Sequence, residues 1–289
     1  MLVRTGMSST ARLAALITVA LTAQACLPTS WTAPALLHPQ RRSIAAEPAL
    51  AHRDVTFESE GITLSGWLFP AAAARRGVTV VYLHGIADNR ASGTWIAEQL
   101  VVRGFDVLAY DSRAHGASGG DACTYGVHEK RDLARALGAL GVERAILVGV
   151  SLGAAVAIQE AADDPRVAGI VSVATFSDLQ SIASDRAPWF ATRWDVRAAC
   201  TRAGELGGFR PEEASPVRSA AHVHVPVLMV HGAADRETRP AHSERVYAAL
   251  TGPKRLLLVP DASHSDALGK AWPEVAAWID EVAASPRRR

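Results

Sequence analysis

The chain has 289 residues, is 49% apolar and 20% charged, carries a formal net charge of +1 at pH 7 and contains three cysteines. That is enough chain for one large globular domain. The near-neutral balance provides no basic field for nucleic acid, and no C-x-x-C spacing marks a metal or redox site.

The N-terminus reads as an export signal. Arg4 and Arg12 flank and precede an apolar run, Leu13 to Ala23, that is short for a bilayer span. Ala23-Gln24-Ala25 has the small-x-small form of a signal peptidase site. Residues 1–25 are therefore assigned to a signal peptide and the protein to the periplasm or the exterior. Cys26 follows at once, so a lipoprotein attached to the membrane through a lipidated Cys26 stays open beside plain export, as does an uncleaved anchor. Residues 26–53, rich in Pro and Ala and carrying Arg41-Arg42, read as a linker.

Within Asp54–Phe69 the pattern predicts two antiparallel strands turned at Glu60-Gly61. Thereafter short apolar strands alternate with helices. Strands are expected at 78–83, 105–110, 145–148, 167–173, 225–230 and 255–259, and helices at 95–103, 129–140, 154–162, 242–250 and 271–283. Apolar strands separated by helices specify an α/β fold, a mostly parallel sheet of about eight strands covered on both faces. In such sheets the ligand site lies beyond the carboxyl ends of the strands. Thr175–Val217 is too long for a simple connection and holds Trp189, Phe190 and Trp194. It reads as a small helical cap, 176–217, set into a core of 54–175 and 218–284 and followed by a basic tail, 285–289. Cys123 and Cys200 are either a disulfide, which export would permit, or two separate buried thiols.

Ala145–Ala155 reads AILVGVSLGAA and places Gly149-Val150-Ser151-Leu152-Gly153 between a strand and a helix. In that context G-x-S-x-G is a nucleophile elbow. The turn strains the serine, and Gly149 and Gly153 remove side chains that would collide. The Leu152 N–H is left free at a helix start, aimed at a developing oxyanion. A serine hydroxyl needs a base, and the base an orienting acid. Among ten histidines, His264 combines a loop position with a place after the last strand. His84 and His231 close their strands as His-Gly, and His84 reads as a buried structural hydrogen-bonder. His128 and His242 fall near helix starts, where solvated or capping roles are expected. Asp235 follows the strand before the last and is the candidate acid; Asp261 and Asp266 are its rivals beside His264. Gly85 allows close backbone approach, which makes the Ile86 N–H the second oxyanion donor, with Asn89 and Arg90 tying that loop down. Trp189, Phe190 and Trp194, with Tyr125, are the candidate substrate pocket.

The segments LHGIADNR (83–90), YDSRAHGASGG (110–120), CTYG (123–126), GVSLG (149–153), VHGAAD (230–235) and SHSD (263–266) lie within about Asp54–Ala284. Together they resemble the α/β-hydrolase superfamily, and within it the exported bacterial alpha/beta-fold, serine-aminopeptidase-like hydrolases. The resemblance implies Ser151, Asp235 and His264 as nucleophile, acid and base, and Ile86 and Leu152 as oxyanion donors. Two positions depart from the family pattern: Ala114 and Asp261 stand where glycine is common, so different loop conformations are expected there. The activity implied is two-step acyl transfer on a small-molecule ester or amide, with no cofactor. An aminopeptidase or amidase is the alternative, its substrate ammonium held by Asp178, Asp185, Glu212 or Glu213. Perhydrolysis by the same triad and a non-catalytic binding protein on the same scaffold are the others.

Overall fold

The computed structural model describes residues 29–286; the assigned signal peptide, Cys26 and the end of the basic tail (287–289) lie outside the described residues. The strands are β1 (Arg53–Ser59), β2 (Ile62–Phe69), β3 (Thr79–Leu83), β4 (Asp106–Tyr110), β5 (Ala145–Val150), β6 (Val167–Val173), β7 (Val227–Gly232) and β8 (Lys254–Val259). They form one sheet in the order β1-β2-β4-β3-β5-β6-β7-β8. β2 runs antiparallel to both β1 and β4, and every other pair is parallel. Glu60 (φ 48°) and Gly61 (φ 80°) make the two-residue turn of the first hairpin, a geometry whose twist matches that of the strands it joins.

The helices are α1 (Thr29–Leu37), α2 (Thr94–Val101), α3 (Glu129–Ala139), α4 (Leu152–Ala161), α5 (Leu179–Arg186), α6 (Arg193–Gly207), α7 (Pro216–Ala220), α8 (Pro240–Ala249), α9 (Ala267–Lys270) and α10 (Trp272–Ala284). Alternate strand residues feed two apolar layers, as the pleat requires. Val81, Leu83, Leu108 and Leu147 pack with Leu133 and Leu137 of α3 and Val156 and Ile158 of α4. Val80, Val107, Ile146 and Val148 pack with Ile96 and Leu100 of α2 and Val275 and Ile279 of α10. Burial on both faces accounts for the unbroken apolar runs of the central strands.

The linker reading of 26–53 is corrected over 29–37. This stretch has no apolar period and carries Pro34 in its interior, so local propensity does not announce a helix. Tertiary packing supplies what propensity lacks: Ala33 and Leu37 are buried. The Leu37 carbonyl accepts from the Cys123 N–H at 2.8 Å, and Tyr125 Oη donates to the Leu36 carbonyl at 2.8 Å. The stretch after it is strapped to the core by Arg41, which donates to the carbonyls of Gly116, Ser118 and Gly120. Between β6 and β7 the chain forms α5, α6, a 3-10 turn at Pro211–Glu213 and α7. α6 opens on a capping box between Thr192 and Asp195 and closes on Gly208 in the left-handed region. Cys123 and Cys200 are separate, buried thiols.

Candidate active site

β5 ends at Val150 and α4 begins at Leu152, leaving a single residue to reverse the chain. That residue, Ser151, sits at φ 53°, ψ −108°, a conformation an L-residue occupies only when its surroundings impose it. The imposing contacts are the Ser151 N–H to the Val173 carbonyl at 2.8 Å and two close backbone approaches. A Cβ on Gly149 would overlap the Gly153 carbonyl, and one on Gly153 would overlap the Leu83 carbonyl. Leu152 is the first residue of α4, and no side chain caps that helix start, so its N–H lacks an intrahelical acceptor.

The loop after β3 passes beside the serine: a Cβ built on Gly85 would stand 3.6 Å from Ser151 Cβ. His84 is fully buried, its Nδ1 2.7 Å from the Gly85 carbonyl oxygen and its Nε2 accepting from the Ser112 N–H at 3.0 Å. Burial holds its pKa below the ordinary histidine value, and the neutral ring anchors the Gly85 carbonyl. Because a peptide is planar and trans, anchoring that carbonyl turns the Ile86 N–H the opposite way. Asn89 and Arg90 do tie the loop down. Asn89 donates to the Arg42 carbonyl, and Arg90 makes two contacts with buried Asp111, at 2.6 and 2.7 Å.

Asp235 and His264 arrive from the ends of β7 and β8. His264 Nδ1 lies 2.7 Å from Asp235 Oδ2. The other carboxylate oxygen accepts the N–H groups of Glu237 and Thr238, each at 2.9 Å. Gly232 lets the two loops meet, since a Cβ there would overlap the Ala262 and Ser263 carbonyls. The rival Asp266 is engaged elsewhere, by Ser263 and Lys270, and it is Asp235, not Asp261, that meets the imidazole. Sequence reasoning missed His231. It is fully buried, with Nε2 2.7 Å from the Thr238 carbonyl oxygen and 3.2 Å from Asp235 Oδ2, and Nδ1 2.6 Å from Ser243 Oγ. Its His-Gly ending on the strand four residues before Asp235 was the available signal. Burial alone would raise the Asp235 carboxyl; hydrogen bonds from His231, His264 and the Thr238 N–H outweigh it and hold the group well below the usual carboxylate range.

Ser151 and His264 line one cavity of about 500 Å³, together with Ile86, Asp88, Arg186 and Glu237. The serine hydroxyl and the imidazole make no hydrogen bond to each other in this conformation, an arrangement that substrate binding commonly tightens. A second, mostly apolar cavity of about 300 Å³ adjoins it, sharing Ile86 and Arg186 and lined by Leu36, Tyr125, Ile182 and Val196. Tyr125 thus stands at the adjoining cavity, but Trp189, Phe190 and Trp194 line neither. They are 95%, 47% and 64% exposed, which corrects their assignment to a substrate pocket; Trp189 and Phe190 lie in the loop between α5 and α6 and Trp194 in the first turn of α6. Asp178 and Asp185 lie at a separate depression with His242, and Glu212 and Glu213 at another. His242 is buried rather than solvated. Ala114 (φ 61°) and Asp261 (φ 52°) both adopt the left-handed conformation. Each keeps a backbone that glycine would adopt freely and carries the strain instead, so the expected change of loop conformation is not needed to fit them.

The family model described as alpha/beta hydrolase fold matches residues 78–205. An uncharacterized protein of Mycobacterium tuberculosis is 30% identical over 221 residues, covering 75% of this chain and 73% of that protein. An esterase of Pyrococcus furiosus has the same fold with a TM-score of 0.66 at 24% identity, covering 86% of this chain and 97% of the esterase. An acylaminoacyl peptidase of Pyrococcus horikoshii superposes with a TM-score of 0.63 at 13% identity, over 82% of this chain and 42% of the peptidase. Sheet order, elbow and relatives agree: the chain belongs to the α/β-hydrolase superfamily.

Proposed function

We propose that the protein is a serine hydrolase that cleaves carboxylic esters through an acyl-enzyme. His264 Nε2 takes the Ser151 proton as Oγ bonds to the substrate carbonyl carbon. The resulting oxyanion is held by the Ile86 and Leu152 N–H groups. His264 returns the proton to the leaving alcohol as the ester bond breaks, and water then repeats the sequence on the acyl-enzyme. Asp235 stays ionised throughout, orienting the imidazole and balancing its charge. The observation that carries this reading is the strained Ser151 facing the same cavity as a histidine bound to a carboxylate at 2.7 Å.

The apolar cavity next to the serine supports an aliphatic acyl group as the part recognised. Each methylene that enters it is worth about 0.8 kcal/mol, or about fourfold in kcat/KM. A p-nitrophenyl ester series from acetate to palmitate, run with the protein and with Ser151→Ala, tests both points. Turnover that rises with chain length to an optimum and falls by about 10⁴-fold or more in the variant is expected. Near-full turnover by Ser151→Ala would sink the mechanism. A second reading, hydrolysis of peptides or amides, draws on Asp88 and Glu237, whose carboxylates line the serine cavity and suit a substrate ammonium. Preference for aminoacyl anilides over esters would select it. Export, with or without lipid on Cys26, is part of the same proposal and is checked by fractionation and mass of the mature N-terminus.

A further inference from the structure

The three aromatic side chains that leave the site are exposed within six residues of one another on the cap. Trp189 is 95% exposed, Trp194 64% and Phe190 47%. Trp189 and Phe190 meet only edge to face, 5.6 Å apart, and Arg193 lies over the Trp194 ring at 5.1 Å. Monomeric surfaces seldom cluster aromatics of this size without a partner.

Two further observations identify the partner. The first is charge. Arg186, Arg193 and Arg197 are exposed on the same stretch, and no ion pair among the described residues engages them. The neighbouring acids face other groups: Asp195 accepts from Thr192 at the start of α6, and Asp185 faces His242 and Arg239. Tryptophan beside arginine is the composition that settles at a lipid headgroup boundary, where the ring is half apolar and the guanidinium meets phosphate. The second is where the N-terminal segment reaches the fold. Thr32 of α1 lines the apolar cavity together with Ala191 and Asp195 of the cap. Cys26 stands six positions before Thr32, at most about 20 Å of extended chain. An attachment at Cys26, or at the apolar run ending at Ala23, would hold the aromatic edge against the same surface and raise its effective concentration there.

We infer that the cap edge Trp189-Phe190-Trp194, with Arg186, Arg193 and Arg197, docks on an anionic lipid bilayer. Ala187, Pro188 and Ala191 connect this edge to the apolar cavity beside the serine site, so docking opens that cavity toward the lipid rather than toward bulk water. The inference concerns binding and does not rest on the ester reading; Ser151→Ala should dock as the parent does.

The test uses the full chain carrying Trp31→Phe, which leaves six of the seven tryptophans. It is incorporated into vesicles of phosphatidylglycerol and phosphatidylcholine, with and without bromine on the acyl chains near the headgroups. Brominated lipid should quench about a third of the tryptophan emission, the share of two rings in six, and pure phosphatidylcholine clearly less. The further change Trp189→Ser, Phe190→Ser, Trp194→Ser should abolish that quenching while thermal unfolding stays unchanged, because all three side chains are at the surface. Quenching that survives the triple change overturns the inference, as does equal quenching in the uncharged vesicles. A dimer in solution that the triple change dissolves, with no quenching by lipid, would assign the edge to a second copy of the chain and likewise overturn it.

Discussion

Set beside the Ser151 site, a cluster of the same three residue types, Ser177, His242 and Asp185, lacks the geometry of a nucleophile. In this second cluster, Ser177 Oγ lies 2.9 Å from His242 Nδ1, and His242 Nε2 lies 3.3 Å from Asp185 Oδ2. By residue type it matches Ser151, His264 and Asp235, and its hydroxyl is nearer its histidine. Its surroundings differ in every respect that matters for attack on a substrate. Ser177 is fully buried and its hydroxyl donates to Asp178 at 2.8 Å, so the oxygen faces no cavity. His242 Nδ1 also receives the Ser177 N–H and an Arg245 guanidinium N–H. Burial, then the Arg245 charge, lowers the His242 pKa and leaves a weak base. Ser151, by contrast, is forced outward by its positive φ, opens on about 500 Å³ of space, and has a free helix N–H beside it. Composition supplies three residue types in each place; backbone strain and a cavity make one of them a site.

The comparison breaks most sharply at the acid. Asp235→Asn keeps the shape but reverses one hydrogen bond to His264 Nδ1, and should lower kcat by about 10⁴-fold, read on the best p-nitrophenyl ester. Asp185→Asn should leave that rate within about twofold. A large loss there would mean that the second cluster takes part in the chemistry. Ser177→Ala sharpens the same contrast on stability. It should cost about 1–2 kcal/mol, because half-buried Asp178 and buried His242 lose a partner, with turnover unchanged. Urea unfolding and a rate assay on one preparation separate the two effects.

How much of this was legible in the sequence follows from how local each feature is. The elbow was legible because strain, glycines and strand-to-helix change fall within five residues, 149–153. Asp235 and His264 were legible because each follows its strand directly. His231 was not, since its role depends on Ser243 of α8 and Thr238 closing over it after folding. α1 was hidden because Pro34 and a missing apolar period speak against a helix that only α6 and the Cys123–Tyr125 loop stabilise. The aromatic content of the cap was visible, but not its direction: Trp189 and Trp194 would serve a pocket and an outer surface equally well until the backbone is placed.

The last comparison, read on stability alone and silent on turnover, sets two buried carboxyls side by side. Asp235 receives four donors and stays ionised; Glu160, near the C-terminal end of α4, is 3% exposed with no partner for Oε1 among the described residues. Burial, reinforced by a hydrogen bond to Asp164 and that group's charge, pushes Glu160 up to about 9. An acid whose folded pKa lies above its unfolded value of 4.5 stabilises the fold fully below that value. Its contribution is lost as pH rises from there through about 9. Glu160→Gln has no proton to lose and retains an N–H for Asp164. Its stability should equal that of the parent near pH 4 and exceed it by a margin that widens with pH, reaching on the order of several kcal/mol toward pH 9, read as a growing difference in Tm. A difference that does not change with pH would show that Glu160 is ionised in the folded protein. The contrast with Asp235 would then rest on the His231 and His264 donors alone.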